Sequence, residues 1–431
     1  MKQKIKHVAV MLPASVILGA LLLTIVFCIP VDRMRRNVEK SVGCMVLREE
    51  EVSKDAFSQY IWRNRETYTD VIMTQNAIEQ IEGKNVYEHA MWVYHTDIEP
   101  EFWDPEESLR AYFNADNDKT MHLHEYSRYW HGYLVYLKPL LLLFSWEQIV
   151  WLGIILQIGL MLCVTALAVK KKRTRVAVMA GIGFLFMKPI LVLVSLTMSV
   201  CWVICLLTLL IMLAYHEKIK GKNYYPELFL VAGIVTAYFD FLTYPVVTLG
   251  IPLCAYFLME KQEKLVTGIR SAVEYSIYWG IGYVGMWASK WVLADLTLHT
   301  GTIKDAVWSI IGRTEAIGGR PRLNGGWYVI GLNLQEYPQL FTYVAILLVL
   351  FVTALLVISI LKSRGEMKLK SLVPYGIIFC IPFVWIIVVQ HHSALHARFT
   401  FRIIGIAVAA IACMGIEAYC AIKSAKKAGK S

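Results

Sequence analysis

Val8–Pro30 reads VAVMLPASVILGALLLTIVFCIP, a charge-free apolar run directly behind the basic start KQKIK (Lys2–Lys6). Its length matches the roughly 20 residues an α-helix needs to cross about 30 Å of hydrocarbon. It is too long for the apolar stretch of a typical cleavable leader, and no A-x-A-like site follows it. IVFC ending at Cys28 is similar to a lipoprotein box, but bulky Phe27 precedes the cysteine. The run is therefore read as an uncleaved membrane helix. Blocks of the same kind recur along the 431 residues, which are 57% hydrophobic with a mean hydropathy of +0.50. The fold expected is an all-α polytopic membrane protein, one integral domain over 1–431.

The net charge of +10 is spread over short clusters between the apolar blocks: KQKIK, KKKRTR, HEKIKGK, KSRGEMKLK and the tail KSAKKAGK. Such spacing follows the positive-inside rule, so the charge orients the chain and attracts anionic lipid rather than nucleic acid. With these clusters as cytoplasmic markers, ten crossings are predicted, near 8–30, 149–169, 176–188, 199–214, 225–241, 246–259, 273–294, 339–361, 372–390 and 401–422. Both termini are then cytoplasmic in a multi-pass cell-membrane protein. Outward turns are required around Lys188–Ser199 and at DFLTYP (Asp240–Pro245), and the short spans bracketing them imply tilt or local thinning. Of nine cysteines only Cys44 falls in an outer loop, so no intrachain disulfide framework is expected.

Two large outer loops remain. The first, 31–131, carries most of the chain's 33 acidic residues and fewer than a third of its 43 basic ones. Its stretch DAFSQYIWRNRETYTDVIMTQNAIEQIEGK has helical spacing, with Phe57, Ile61, Tyr68, Ile72 and Ile78 on the apolar side, and predicts interfacial helices. His131–Phe144 is expected to lie along the outer interface, with Trp130, Tyr133 and Tyr136 as aromatic anchors. SWEQ (Ser145–Gln148) fits a capping box opening the second span. The second loop, 295–338, is glycine-rich.

Asp32, directly after the first span, and Asp70, in TYTDVIM, are the candidate bases: deprotonating an alcohol needs a carboxylate raised by partial desolvation. The competing reading makes Asp32 a solvated boundary residue and Asp70 part of a solvated helix face. In NADNDKTMHLHE, residues Asn114, Asp116, Asp118, Thr120, His122 and Glu125 fall on a calcium-loop template, but Lys119 replaces the glycine of its sharp turn. An Asx-rich turn is the competing reading; a divalent ion on Asp116, Asp118 and Glu125 would neutralise a phosphate leaving group. Arg128 and His131 flank the ledge, and QHHSALHARFTFR supplies His391, His392, His396, Arg398 and Arg402, suited to gripping phosphate oxygens. Arg313, Arg320 and Arg322 form a weaker cationic set. Walker A, G-x-G-x-x-G, G-x-S-x-G and zinc-protease motifs are absent from the sequence, and ionisable residues at span centres are scarce, which speaks against an ion-coupled transporter.

The layout of one span, a large outer loop and then many spans with short outer hairpins resembles the C-type (GT-C fold) integral membrane glycosyltransferases. The phrases SRYWHGYLVYLKPLL, YFDFLTYP and HHSALHARFTFR resemble those of uncharacterised bacterial members of this type. The resemblance implies transfer of a sugar from a polyprenyl-phosphate carrier to an extracytoplasmic glycan or lipid acceptor, with inversion. Arg128, Arg398 and Arg402 would hold the phosphate, with His131, Asp240, Tyr244, His392 and His396 completing the substrate contacts. Trp130, Tyr133 and Trp103 would stack on sugar faces unless they are simply anchors. VDRMRR lacks the acidic pair such enzymes carry after the first span, which leaves the base open between Asp32 and Asp70. A lipid-linked polysaccharide polymerase or ligase, and a lipid or solute transporter, are the competing functions.

Overall fold

The computed structural model describes residues 2–45, 59, 65–98, 105–114, 121–260, 264–362 and 371–428. These residues form helices and one two-stranded antiparallel ribbon, Tyr94–Asp97 against His122–Glu125. Each of the ten apolar segments is mostly helical, though 8–30, 176–188, 225–241 and 372–390 run past the ends of their helices. Among the described residues, five helices are long and apolar enough to cross a membrane: Lys4–Phe27, Trp146–Lys170, Leu196–Gly221, Gln339–Leu361 and Ala397–Lys426. Thr174–Leu185, Tyr225–Phe239, Val247–Met259 and Val373–Val388 are shorter apolar helices. The segment 273–294 lies inside the 34-residue helix Leu265–Leu298.

The helix ends follow the sequence signals. Ser145 and Gln148 form the reciprocal capping box, with Ser145 Oγ accepting from Gln148 N–H at 3.4 Å and Gln148 Oε1 accepting from Ser145 N–H at 3.0 Å. Tyr225–Phe239 stops at Asp240, and the chain restarts its helix at Val247 after the DFLTYP turn. Tyr225–Phe239 packs along Leu265–Leu298 through Gly233 and Gly282. A Cβ on Gly233 would run into Trp279 O, and one on Gly282 into Leu230 O. Backbones meet closely only over small residues, as is usual where lipid supplies no hydrophobic drive between helices.

The first loop differs from its expected form. Phe57, Ile61 and Trp103 lie outside the described residues. The described helix Tyr68–Ile78 does not lie on a membrane surface; Thr69 to Ile78 are all buried. It is wedged among the helices Asp32–Glu39, Pro105–Asn114 and Leu134–Leu143, the ribbon, and the start of Leu196–Gly221. Its polar side chains are tied inside: Asn76 Nδ2 donates to Tyr133 Oη at 2.9 Å, and Gln75 Nε2 to Thr96 O at 3.2 Å. Two lysines bind the loop to its support. Lys138 Nζ donates to Ala77 O and Lys290 Nζ to Met91 O, both at 2.7 Å and both fully buried. Trp130 and Tyr133 are likewise buried rather than interfacial anchors, Trp130 Nε1 donating to Met286 O at 2.6 Å.

Cys44 offers a test of which way this loop faces. Its sulfur is 3.8 Å from Glu147 Oε2, and burial, then Glu147, raises its thiol pKa. In a variant where Cys44 is the sole cysteine, an impermeant maleimide added to intact cells labels it, faster as the pH rises. Labelling confined to lysed cells would invert the proposed orientation.

Candidate functional site

Five segments far apart in sequence meet around a cavity of about 620 Å3. Glu66 and Thr69 come from the start of the buried first-loop helix, and Tyr126, Arg128 and Tyr129 from the ledge. Arg313 and Glu336 come from the second loop, and His392, His396 and Arg398 from the last turn. Phe241 and Thr243 of the DFLTYP hairpin close the floor. The cavity therefore gathers three guanidinium groups, two carboxylates and two imidazoles in an aromatic frame.

Each group has a distinct setting. Glu66 is half-buried, and its Oε1 accepts from Thr69 N–H at 2.8 Å and Thr69 Oγ1 at 2.9 Å. Among the described residues no donor sits on Oε2. Burial pushes the Glu66 carboxyl up to about 7, opposed by the Thr69 donors and the nearby Arg402 charge. Arg128 Nη1 contacts both oxygens of Asp305, at 2.9 and 2.8 Å, and its guanidinium lies 5.6 Å from the Tyr126 ring centre. Arg313 Nη2 donates to Tyr129 Oη at 2.8 Å. Arg398 is exposed at the cavity wall. His392 bonds Leu242 O through Nε2 at 3.0 Å. Burial, reinforced by neighbouring positive groups, drops His392 to about 3 and His396 to about 4, so both imidazoles are neutral at physiological pH.

Of the sequence-based candidates, Arg128, His392, His396 and Arg398 converge on this cavity, joined by Arg313 of the weaker cationic set; Asp70, Asp32, His131, Asp240, Tyr244, Arg402 and Glu125 do not line it. Asp70 is 1% exposed and its carboxylate caps the helix Leu196–Gly221. Oδ1 accepts from Thr197 N–H at 2.8 Å, Thr197 Oγ1 at 2.6 Å and Ser195 Oγ at 3.3 Å; Oδ2 accepts from Leu196 N–H at 3.0 Å. A carboxylate with both oxygens so engaged is a structural anchor and is badly placed to take a substrate proton. Asp32 is exposed in the first turn of Asp32–Glu39, away from the cavity.

His131 is buried behind the wall, Nδ1 at 2.9 Å from Tyr133 Oη and Nε2 at 2.6 Å from Tyr126 O, and burial lowers it to about 3. It orients the aromatic frame rather than meeting a ligand. Asp240 is spent on its own turn, accepting from Thr243 N–H at 3.0 Å and from Thr243 Oγ1. Tyr244 donates to Met198 O deep in the core. Arg402 is buried behind Arg398, donating to Arg398 O, and reaches Glu66 only through its charge. Asp116 and Asp118 lie outside the described residues. Glu125 is exposed on the ribbon, and no group of three His, Cys, Asp or Glu among the described residues could hold a metal ion.

Sequence reasoning missed Glu66 and undervalued Arg313. Glu66 stands three residues before Thr69, the spacing of an acidic residue at a helix start. Nothing else separates it from the other acids of the first loop.

A second hollow lies beside the cavity. A groove of about 780 Å3 runs between Leu265–Leu298 and Val373–Val388, lined by Trp279, Ile377, Ile381, Val384, Trp385 and others, almost wholly apolar. Val246 and Val388 line it, while Thr243 and His392, three and four residues away in the chain, line the polar cavity. Rings bridge the two: Trp385 contacts Tyr283, Tyr283 stacks on Trp287, and Trp287 meets Tyr129 edge-on at 5.3 Å. Comparison with family models, with curated proteins and with solved structures gave no match to this chain.

Proposed function

We propose that this chain is a cell-membrane glycosyltransferase that moves a sugar from a polyprenyl-phosphate carrier to an extracytoplasmic glycan or lipid acceptor. The observation that carries the reading is a half-buried carboxylate, Glu66, sharing one cavity with Arg128, Arg313 and Arg398, next to an apolar groove. In this reading all ten apolar segments cross the membrane, both termini are cytoplasmic and the cavity faces outward. The greasy tail lies in the groove and the phosphate among the guanidiniums, whose paired N–H donors suit its oxygens.

Glu66 replaces Asp32 and Asp70 as the base. The acceptor hydroxyl gives its proton to Glu66 as its oxygen bonds to the anomeric carbon. The bond from that carbon to the phosphate oxygen breaks on the opposite face, so configuration inverts. The departing polyprenyl phosphate leaves with the bonding electrons, and the fixed arginines stabilise that developing charge. Neutral His392 and His396 supply hydrogen bonds rather than charge.

The test is transfer from a labelled polyprenyl-phosphate sugar by the purified chain. Arg313→Ala and Arg398→Ala raise the donor KM by about tenfold each, the effect of losing roughly 1.4 kcal/mol of charge-assisted binding. Unchanged donor KM in both variants would remove the phosphate role. The competing polymerase or ligase reading requires a preassembled chain on a lipid diphosphate; turnover of that donor alone would select it.

A further inference from the structure

We infer that the end of the helix bundle opposite the catalytic cavity holds a binding site for an anionic glycerophospholipid. Four helices define that end. Leu196–Gly221 and Val247–Met259 both start beside the cavity hairpins and finish there, and Trp146–Lys170 turns into Thr174–Leu185 there. Between them lies a hollow of about 320 Å3 lined by Lys171, Lys172, Arg173 and Arg175, with Leu258 and Met259.

The cations are unequally engaged. Arg173 is structural: Nη1 donates to Met259 O at 3.2 Å and Nη2 to Glu217 Oε1 at 3.0 Å. Glu260, a second acid nearby, is held by His216 at 2.7 Å and Lys220 at 2.8 Å. Among the described residues Lys171, Lys172 and Arg175 have no acidic partner. Three exposed positive charges thus border one hollow, and an anion there would be attracted by all of them. Lys172 also takes the left-handed conformation, φ 57°, that favours glycine at a helix end. A lysine held there by backbone strain presents an ammonium group that glycine would lack.

Leu258 and Met259 add a small apolar part to a mostly polar lining, and the apolar flank beside them selects a lipid over a free anion. Leu258 and Met259 floor the hollow, and Val169 and Val178, 58% and 52% exposed, continue its rim onto the outer flank of the bundle. A phosphodiester fits among Lys171, Lys172 and Arg175, with the glycerol over Leu258 and Met259 and the acyl chains along that flank. Basic pockets at helix ends are where such headgroups are captured. The site holds whatever chemistry the opposite cavity performs.

The full chain, purified in neutral detergent, is titrated with phosphatidylglycerol, phosphatidylcholine or inorganic phosphate while thermal unfolding is followed and lipid retention is read by native mass spectrometry. Phosphatidylglycerol raises the unfolding midpoint and remains bound; the other two do neither. The triple variant Lys171→Gln, Lys172→Gln, Arg175→Gln loses at least fivefold in phosphatidylglycerol affinity with its lipid-free midpoint unchanged. A control, Lys6→Gln, Lys218→Gln, Lys222→Gln, removes equal charge and keeps the affinity. If the triple variant has an altered lipid-free midpoint, Lys172→Gly, which relieves the backbone, carries the test and must itself weaken binding. Equal responses to phosphatidylcholine or to inorganic phosphate, full affinity in the variants, or equal loss in the control would each overturn the site.

Discussion

Glu66→Gln lowers sugar transfer by about a thousandfold while leaving the donor KM and the folded yield near those of the native chain. That is the usual loss when a positioned general base is replaced by an amide of the same shape. Glutamine keeps an oxygen for Thr69 N–H and Oγ1, so the start of the buried helix survives. The native rate rises with pH through about 7, because burial places the Glu66 carboxyl there and only its ionised form accepts a proton. Stability runs the other way. The ordinary value of 4.5 lies below the folded value of about 7, so the folded chain binds this proton more tightly than the unfolded chain. Raising the pH between those values therefore costs stability, and Glu66→Gln, with no proton to lose, outlasts the native chain at pH 8. A variant with full activity, or one whose pH profile still bends near 7, would remove Glu66 from the reaction.

Asp70→Asn gives the opposite pattern: a large stability loss. Its four donors, two backbone N–H groups and two hydroxyls, point at two oxygens. An amide supplies one oxygen and turns an NH2 toward a backbone N–H in either orientation. Unmaking buried bonds to a charged acceptor costs roughly 2–3 kcal/mol. The unfolding midpoint in detergent falls and the cell retains less protein, but what remains folded keeps a donor KM within a fewfold of native. Were Asp70→Asn to keep its thermal midpoint and lose all turnover, the carboxylate would be a reactant and its cap role incidental. The pair of variants separates a residue that reacts from one that holds.

The outline of the fold was legible because hydrocarbon thickness imposes a length that sequence displays directly. Ser145 and Gln148 announced a helix start, and DFLTYP announced a turn, through chemistry local to a few residues. The site was only half legible. Arg128, His392, His396 and Arg398 stand out because cations and imidazoles are conspicuous where apolar blocks end. Asp70 looked catalytic for the reason that makes it structural: a carboxylate among apolar neighbours is buried, and its partners at 195–197 lie on a distant segment no local pattern reveals. Glu66 was hidden by company, one acid among many in an acidic loop. Trp130 and Tyr133 carried an interfacial signature yet pack inside, because aromatic belts and aromatic cores share a composition.

The first loop of this chain is not a detachable module. Its helix Tyr68–Ile78 is pinned by the N–H groups of Leu196 and Thr197 and by Lys138, and its helix Val86–Trp92 by Lys290, so its folding instructions are written across three other stretches of polypeptide. Expressed alone, residues 31–131 would lack those counterparts and fail to adopt this shape. Recombination between relatives that exchanged the loop without them would yield misfits, which ties the inheritance of the loop to that of the helices it packs on.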